Sequence, residues 1–297
     1  MTRIAMIGGL CRIAIAQGIG TQCLSRTREP LEFANIEEYV RQYDQLRSRL
    51  VIPNVCALEI IHLSYLTPPH RKTALDIACG PGEFTLDLVE RLKFNEATGL
   101  DISGPMIAAA NQGAADRRLS DRVRFRVGNA NDLSAITTDS FDLVCLNHAA
   151  HHLSDLDAVI RVFSSMDRIA KPSGMVFIMD LARLKTRALT ERYVESVSAD
   201  YPSLGLELLK DEFRHSMFAA WTPRELRQAI PDSCKRRWFH LVPRGLPVMQ
   251  MIVGVADSLY AGAGLPWGAG NHPVPKVMRA EWQLLRWLLR LGVHRVS

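Results

Sequence analysis

The sequence predicts an α/β fold: a doubly wound, mostly parallel seven-stranded sheet with an N-terminal helical cap, a lid insertion and a C-terminal helix. Three observations carry the prediction. Short apolar runs alternate with amphipathic stretches from Thr73 onward, and such a βαβα succession folds as a parallel sheet covered on both faces. The first run ends in a glycine-rich turn, Leu75-Asp76-Ile77-Ala78-Cys79-Gly80-Pro81-Gly82, and the second ends in an acid, Asp101. The 297 residues, 47% of them hydrophobic, suffice for one large core plus an accessory region.

The elements follow in order. Met1 to Gly20 is apolar, like a weak signal segment, but Arg12 interrupts it and no small-residue cleavage site follows, so a short helix or arm is expected. Residues 31–66 read as helical: Glu37, Tyr39, Val40, Tyr43, Leu46 and Leu50 recur at helical spacing. Pro53 and Asn54 break that pattern, Val55 to Leu66 resumes it, and Pro68 and Pro69 stop it, which makes 1–72 an arm and helical cap. Strands are expected at Ala74–Ala78, Ala97–Leu100, Val123–Val127, Phe141–Leu146 and Met175–Met179. Helices are expected at Thr85–Leu92, Pro105–Ala115 and Leu156–Ile169.

Residues 183–217 are polar, helical in pattern and placed after a strand end, which makes them a lid over a ligand crevice. Thr222-Pro223-Arg224-Glu225 is a helix start, with a capping threonine, proline in the first turn and glutamate three residues after the cap. Two more strands, Arg237–Val242 and Val248–Val255, close a main domain over 73–255. Residues 256–297 then hold a Gly-rich loop, Gly262–Gly270, and a basic amphipathic helix, Lys276–Leu291.

Composition excludes several classes. No run of 18 apolar residues occurs, so no membrane-spanning helix or stable membrane insertion is expected. The net charge is +5, but from Lys276 onward five basic residues face one acidic residue, so most of the excess sits in one segment. Nucleic-acid binding needs a broader patch, and none is expected. The six cysteines form no Cys-x-x-Cys pair, which fits a reducing cytoplasm rather than a disulfide framework or a zinc site.

The chemistry centres on the turn at 75–82. Gly80 and Gly82 let the backbone approach a ligand closely. A nicotinamide-type Gly-x-Gly-x-x-Gly needs glycine where Thr85 stands, and no Gly-Lys-Ser/Thr follows, so the ligand is not held through phosphates. Asp101, nineteen residues after Gly82, is placed to accept from both hydroxyls of a ribose; the alternative is an N-cap for the next helix.

On these residues the sequence resembles the class I S-adenosylmethionine-dependent methyltransferases, a Rossmann-like family, and in particular the branch containing ubiquinone and menaquinone biosynthesis enzymes. Gly99-Leu100-Asp101-Ile102-Ser103 with Met106, Gly128-Asn129-Ala130, Asn147 with His151-His152-Leu153, and Lys171-Pro172-Ser173-Gly174 add to the likeness, which runs from about Thr73 to Asp180 and weakly to Val255. The resemblance implies the cofactor S-adenosylmethionine. It implies that Asp76 holds the amino-acid end and that Ala78, Gly80 and Gly82 line the methionine portion. It further implies that Asp101, with Ile102, binds the ribose, that Met106 packs near the adenine, that Asn129 and the Ala130 backbone meet the adenine amine, and that Asn147 sits beside the sulfonium. Two positions depart from the family pattern: Ala78 replaces a common glycine and Asn129 a common aspartate. Met106 is equally well read as core.

The function implied is methyl transfer to a small-molecule acceptor, in secondary metabolism. The rival readings are an RNA or protein methyltransferase and a protein that binds the cofactor without methylating. Asn147-His148-Ala149-Ala150 stands where base methylases carry an Asn/Asp-Pro-Pro-Tyr motif, which argues against base methylation. An acceptor that must lose a proton needs a base, and imidazole, with a pKa of about 6.5, suits the task. His148, His151 and Asp180 are the candidate catalytic residues, with His151 and His152 also readable as caps. His152, Arg183, Tyr193 and His215 are candidate substrate contacts, the arginine suiting a carboxylate. No metal is expected, because no carboxylate or cysteine lies at ligand spacing on the element that carries the histidines. The C-terminal helix has three readings: packing on the domain, a homodimer contact, or an anionic membrane surface, the first two being the default.

Overall fold

In the computed structural model the described residues are 3–30, 36–46, 57–58, 61, 71–232, 235–243, 248–256 and 293–295. The strands are β1 (Thr73–Ile77), β2 (Glu96–Asp101), β3 (Val123–Val127), β4 (Phe141–Asn147), β5 (Ala170–Leu181), β6 (Arg236–Leu241), β7 (Met249–Ala256) and β8 (Val293–Arg295). They form one sheet in the order β3-β2-β1-β4-β5-β7-β6-β8. Pairing is parallel from β3 through β5, and β7 runs antiparallel between β5 and β6.

Burial explains the order. β1, β4 and β5 are buried almost throughout, as central parallel strands must be. β3 buries Val123 and Phe125 and exposes Arg124 and Arg126, the alternation of an edge strand. Two helices, α3 (Glu83–Glu90) and α4 (Gly104–Asp116), cover one face through Leu86, Val89, Ile107 and Ala110. The other face is covered by α5 (Leu156–Ile169) through Val159, Val162, Phe163 and Met166. Leu75 and Ile77 point to the α5 side, while Leu143 and Cys145 point to the α3 side, so each strand feeds both cores.

The chain reverses direction of travel across the sheet between β1 and β4. At such a switch point the loops leaving the strand ends diverge and open a crevice. Flanking helices close over that edge. The first, α1 (Arg3–Ile19), packs on α6 (Arg187–Val197), with Ile13 joining Leu184, Leu189, Val194 and Met217 in a satellite core. The second, α2 (Ile36–Leu46), packs on α4 and on α7 (Glu207–Ala219), where Tyr39 and Tyr43 meet Tyr201, Leu206 and Leu209. Finally α8 (Pro223–Gln228) carries the expected capping box, Thr222 bonding the Glu225 amide and Glu225 bonding the Thr222 amide.

Two boundaries differ from expectation. Helix α3 starts at Glu83, directly behind the turn, because Gly82 already occupies its N-cap position. An eighth strand, β8, pairs with β6, whose outer edge otherwise presents unpaired backbone groups. The Gly-rich loop 262–270 and the helix expected at Lys276–Leu291 lie outside the described residues. Among the described residues no helix is long and apolar enough to cross a membrane, and Cys11, Cys23, Cys79 and Cys145 are free thiols.

Candidate active site

The turn after β1 holds three left-handed residues, Ala78 (φ 54°), Gly80 (φ 52°) and Gly82 (φ 83°). The two glycines are needed for different reasons. A Cβ on Gly82 would lie 2.6 Å from Phe125 Cζ and 2.8 Å from Ala110 Cβ, so glycine lets the turn seat against β3 and α4. A Cβ on Gly80 would meet nothing within 4 Å, so that backbone faces open space. Ala78 adopts its left-handed φ despite a side chain, a strain that glycine at this position would avoid.

Asp101 ties the two loops together. Its Oδ2 accepts the Gly80 N–H at 2.9 Å and its Oδ1 accepts the Ser103 N–H at 2.9 Å. A carboxylate offers about four lone-pair sites, so two remain for vicinal hydroxyls. The N-cap of α4 is Ser103, whose Oγ accepts the Met106 N–H, so the capping alternative for Asp101 falls to its neighbour. Beside Asp101, Ile102 is 70% exposed, and Val127, its neighbour across the β2–β3 pairing, is 63% exposed, which leaves an apolar rim on the crevice.

Asp76 lies behind the turn, fully buried. It accepts from Thr85 Oγ1 at 2.6 Å and from Cys145 Sγ at 3.5 Å. Burial pushes its carboxyl up to about 7, against the opposing pull of those two hydrogen bonds. Met106 is covered by the chain itself, and Asn129 is exposed with its Oδ1 accepting the Asn131 N–H at 2.9 Å, while Ala130 packs against the α5-side core.

The ends of β4 and β5 carry the second half of the site. Asn147 is the last residue of β4 and is half-buried. His148 follows with φ 54° and donates its N–H to the Met179 carbonyl at 2.7 Å. Its Nε2 is buried with no hydrogen-bond partner among the described residues. Burial, only partly opposed by Asp180, pushes its pKa down to about 4, so the ring is neutral at ordinary pH.

His151 Nδ1 lies 2.6 Å from Asp180 Oδ1, and Asp180 also accepts the Leu181 N–H at 2.8 Å. Burial disfavours charge on both, but their mutual attraction wins, raising the histidine pKa and lowering that of the aspartate. Glu29 joins them from the N-terminal segment, with Oε2 2.7 Å from His152 Nδ1 and 3.6 Å from His151 Nε2. Its Oε1 accepts from Ser216 Oγ at 2.9 Å. Burial acts to raise the Glu29 pKa, but the two histidines hold it below the usual range.

The structure therefore brings Asp76, Gly80, Gly82 and Asp101 together at one pair of strand ends and His148, His151 and Asp180 at the next. Arg183 and Tyr193 are committed elsewhere. Arg183 is buried and donates to the Ala220 carbonyl and to both carboxylate oxygens of Glu225, because β5 delivers it against α8 rather than the crevice. Tyr193 packs on Phe213 in the satellite core, and His215 is exposed on α7. Two residues escape sequence reasoning. Glu29 has no local pattern linking it to the histidines. Tyr39 on α2 packs beside Tyr43 and against Tyr201, Leu206 and Leu209, and burial raises the pKa of its hydroxyl.

Residues 75–178 match a family described as a methyltransferase domain. A demethylmenaquinone methyltransferase from Lactiplantibacillus plantarum is 31% identical over 110 residues, covering 37% of this chain and 45% of its own length. The chain spans only 34–45% of the length of the first curated relatives it matches. Among solved structures, the plantazolicin methyltransferase BamL, bound to a triazolic desmethyl analogue and SAH, superposes with a TM-score of 0.54 at 14% identity, covering 86% of this chain and 98% of its own. A SAM-dependent methyltransferase from Aquifex aeolicus superposes at 0.50 with 16% identity, covering 73% and 98%. At those identities the superpositions speak to fold alone: residues 75–178 match a methyltransferase domain, and the sheet around them has the α/β fold of these solved methyltransferases.

Proposed function

We propose that the chain methylates a small-molecule acceptor, with a role in secondary metabolism. The observation that carries the reading is the Asp101 carboxylate, which bridges the β1 and β2 loops and keeps two lone-pair sites for the ribose. The residues suit the rest of the cofactor as well. Gly80 opens the backbone toward the crevice, Ile102 and Val127 offer apolar surface to a nucleobase, and buried Asp76 is placed for an ammonium group. When bound, the sulfonium supplies a methyl carbon already activated for displacement.

The chain's own task is alignment and exclusion of water. Asp101 orients the ribose and Asn147 borders the reacting end. His148 holds a neutral, buried Nε2 there, placed to accept a hydrogen bond from an acceptor hydroxyl or N–H and so orient it. Asp180 fixes the orientation of His151 beside it. The segment 183–217 acts as the lid. The name of the Lactiplantibacillus relative supports a small acceptor.

Incubation with methyl-labelled cofactor and a panel of phenols and quinols, read by mass spectrometry, tests the reading. Label on a small molecule supports it. Label on RNA or protein, or label that never leaves the cofactor, overturns it. For the cofactor half, Asp101→Ala is expected to weaken S-adenosylhomocysteine binding at least tenfold by calorimetry while the circular dichroism spectrum is retained; unchanged affinity removes the ribose role.

A further inference from the structure

Among the described residues, Glu29, His151 and His152 form a set of metal-ligating groups outside the cofactor crevice. One ligand atom from each lies within 4.8 Å of the others. Glu29 Oε2 is 3.6 Å from His151 Nε2 and 2.7 Å from His152 Nδ1. Zinc bonds of about 2.0–2.1 Å put neighbouring ligand atoms of a tetrahedral site about 3.3 Å apart. The first separation already fits. The second needs His152 to swing outward by a few tenths of an ångström, and His152 is the exposed member of the three.

Proximity alone would describe any ion-paired cluster. The supporting contacts point further. A metal-bound imidazole characteristically gives its other nitrogen to a carboxylate, which fixes the tautomer and leaves the remaining nitrogen to bind. His151 has that arrangement, with Nδ1 against Asp180 Oδ1 at 2.6 Å and Nε2 toward Glu29. Ligating carboxylates are themselves hydrogen-bonded, and Ser216 Oγ donates to the other oxygen of Glu29 at 2.9 Å. Glu29 and Asp180 supply two carboxylates beside the two imidazoles. The nearby Arg26 guanidinium is turned to backbone carbonyls, those of Ala219, His151, Leu153 and Ser154, and lies over Trp221.

The geometry points to a three-ligand site for a divalent transition-metal ion, formed by Glu29, His151 and His152, with Asp180 and Ser216 as positioning residues. Two nitrogens and one carboxylate oxygen suit zinc, and three protein ligands leave a position open to water or an oxygen-bearing ligand. Bound there, the ion would pin the N-terminal segment to the loop after β4, beside the candidate active site.

The test uses the 297-residue chain, without a histidine tag, in a Cys11→Ser/Cys23→Ser background that removes the two exposed thiols among the described residues. Zinc alone is titrated calorimetrically and cobalt(II) by visible absorption, both without cofactor or acceptor. The expected result is one ion per chain with micromolar or tighter affinity and a four- or five-coordinate cobalt spectrum. His152→Ala and Glu29→Gln should weaken it at least tenfold, and Asp180→Asn by 10–100-fold, as loss of an orienting partner does. Because His152 is exposed, its variant should still melt in one cooperative transition even without its pairing to Glu29, so lost binding there is not lost folding. No one-to-one binding at 100 μM zinc, or binding undiminished in both ligand variants, overturns the site. S-adenosylhomocysteine titrated in parallel reports separately on the methyl-transfer reading, so failure of one does not read as failure of the other.

Discussion

Asp76 is asked to do two opposed things. Buried without a cation, its carboxyl prefers the protonated form, with a folded pKa of about 7 against an ordinary value of 3.8. A raised folded pKa means stability that is fully present below about pH 4 and lost as pH rises through about 7, a span on the order of 4 kcal/mol. Asp76→Asn keeps the shape and removes the titration. Its unfolding free energy relative to the parent should therefore climb between pH 5 and pH 8 in urea melts; a flat difference would mean Asp76 ionises normally. Binding should move the other way. A cofactor ammonium favours the carboxylate, so parental affinity for S-adenosylhomocysteine should tighten as pH rises through about 7, and the variant should lose that dependence. The glycines offer a second residue-scale contrast. Gly82→Ala should cost roughly 2–3 kcal/mol of stability, from a forced left-handed alanine and overlap with Phe125 and Ala110. Gly80→Ala should cost about 1–2 kcal/mol and, by projecting a methyl into the crevice, remove cofactor affinity from a chain that still folds. Equal effects of the two on both stability and affinity would contradict the separate roles.

At the scale of elements, most of the α/β core was legible in advance. Continuous apolar runs at β1, β4 and β5 and the alternation in β3 announce central and edge strands, because strand burial is written directly in side-chain pattern. The capping box at Thr222 and Glu225 was legible for the same reason: its partners lie three residues apart. Its further use was not. Glu225 also receives Arg183, a buried guanidinium from the end of β5, so one carboxylate caps α8 and anchors the neighbouring strand. Glu225→Gln leaves that guanidinium without its counter-charge. Breaking a fully buried pair costs about 3–5 kcal/mol, but the Glu225 side chain is 34% exposed, so a loss of about 2 kcal/mol is expected in thermal or urea unfolding. A double variant with Arg183→Met should recover part of it, and strictly additive losses would show that the pair is not coupled.

For the molecule as a whole, the joint that matters is Arg26. It donates to the carbonyls of Ala219 at 2.7 Å, His151 at 2.8 Å, Leu153 at 2.7 Å and Ser154 at 3.0 Å, and it lies 3.9 Å over the Trp221 ring. One side chain thus ties the N-terminal segment, the loop after β4 and the end of α7. Arg26→Ala strands four carbonyls at once, and about 3 kcal/mol of destabilisation is expected, with faster amide exchange concentrated in residues 148–154; a variant within 0.5 kcal/mol of the parent would show those bonds to be replaceable by water.

What the sequence by itself determined is everything carried by short-range pattern: the alternation of strands and helices, the glycine turn, the acid ending β2, and hence the likeness to a methyltransferase domain. Each of those depends on residues a few positions apart, whose preferences are local. Only the tertiary structure decided which distant groups share a pocket. Glu29 reaches His151 and His152 across more than a third of the chain, Tyr39 packs with Tyr201 and Leu209, and Arg183 turns to Glu225. These meetings follow from how helices dock on the two faces of an open sheet, where the burial of whole faces sets the geometry and no single stretch of sequence records the partner.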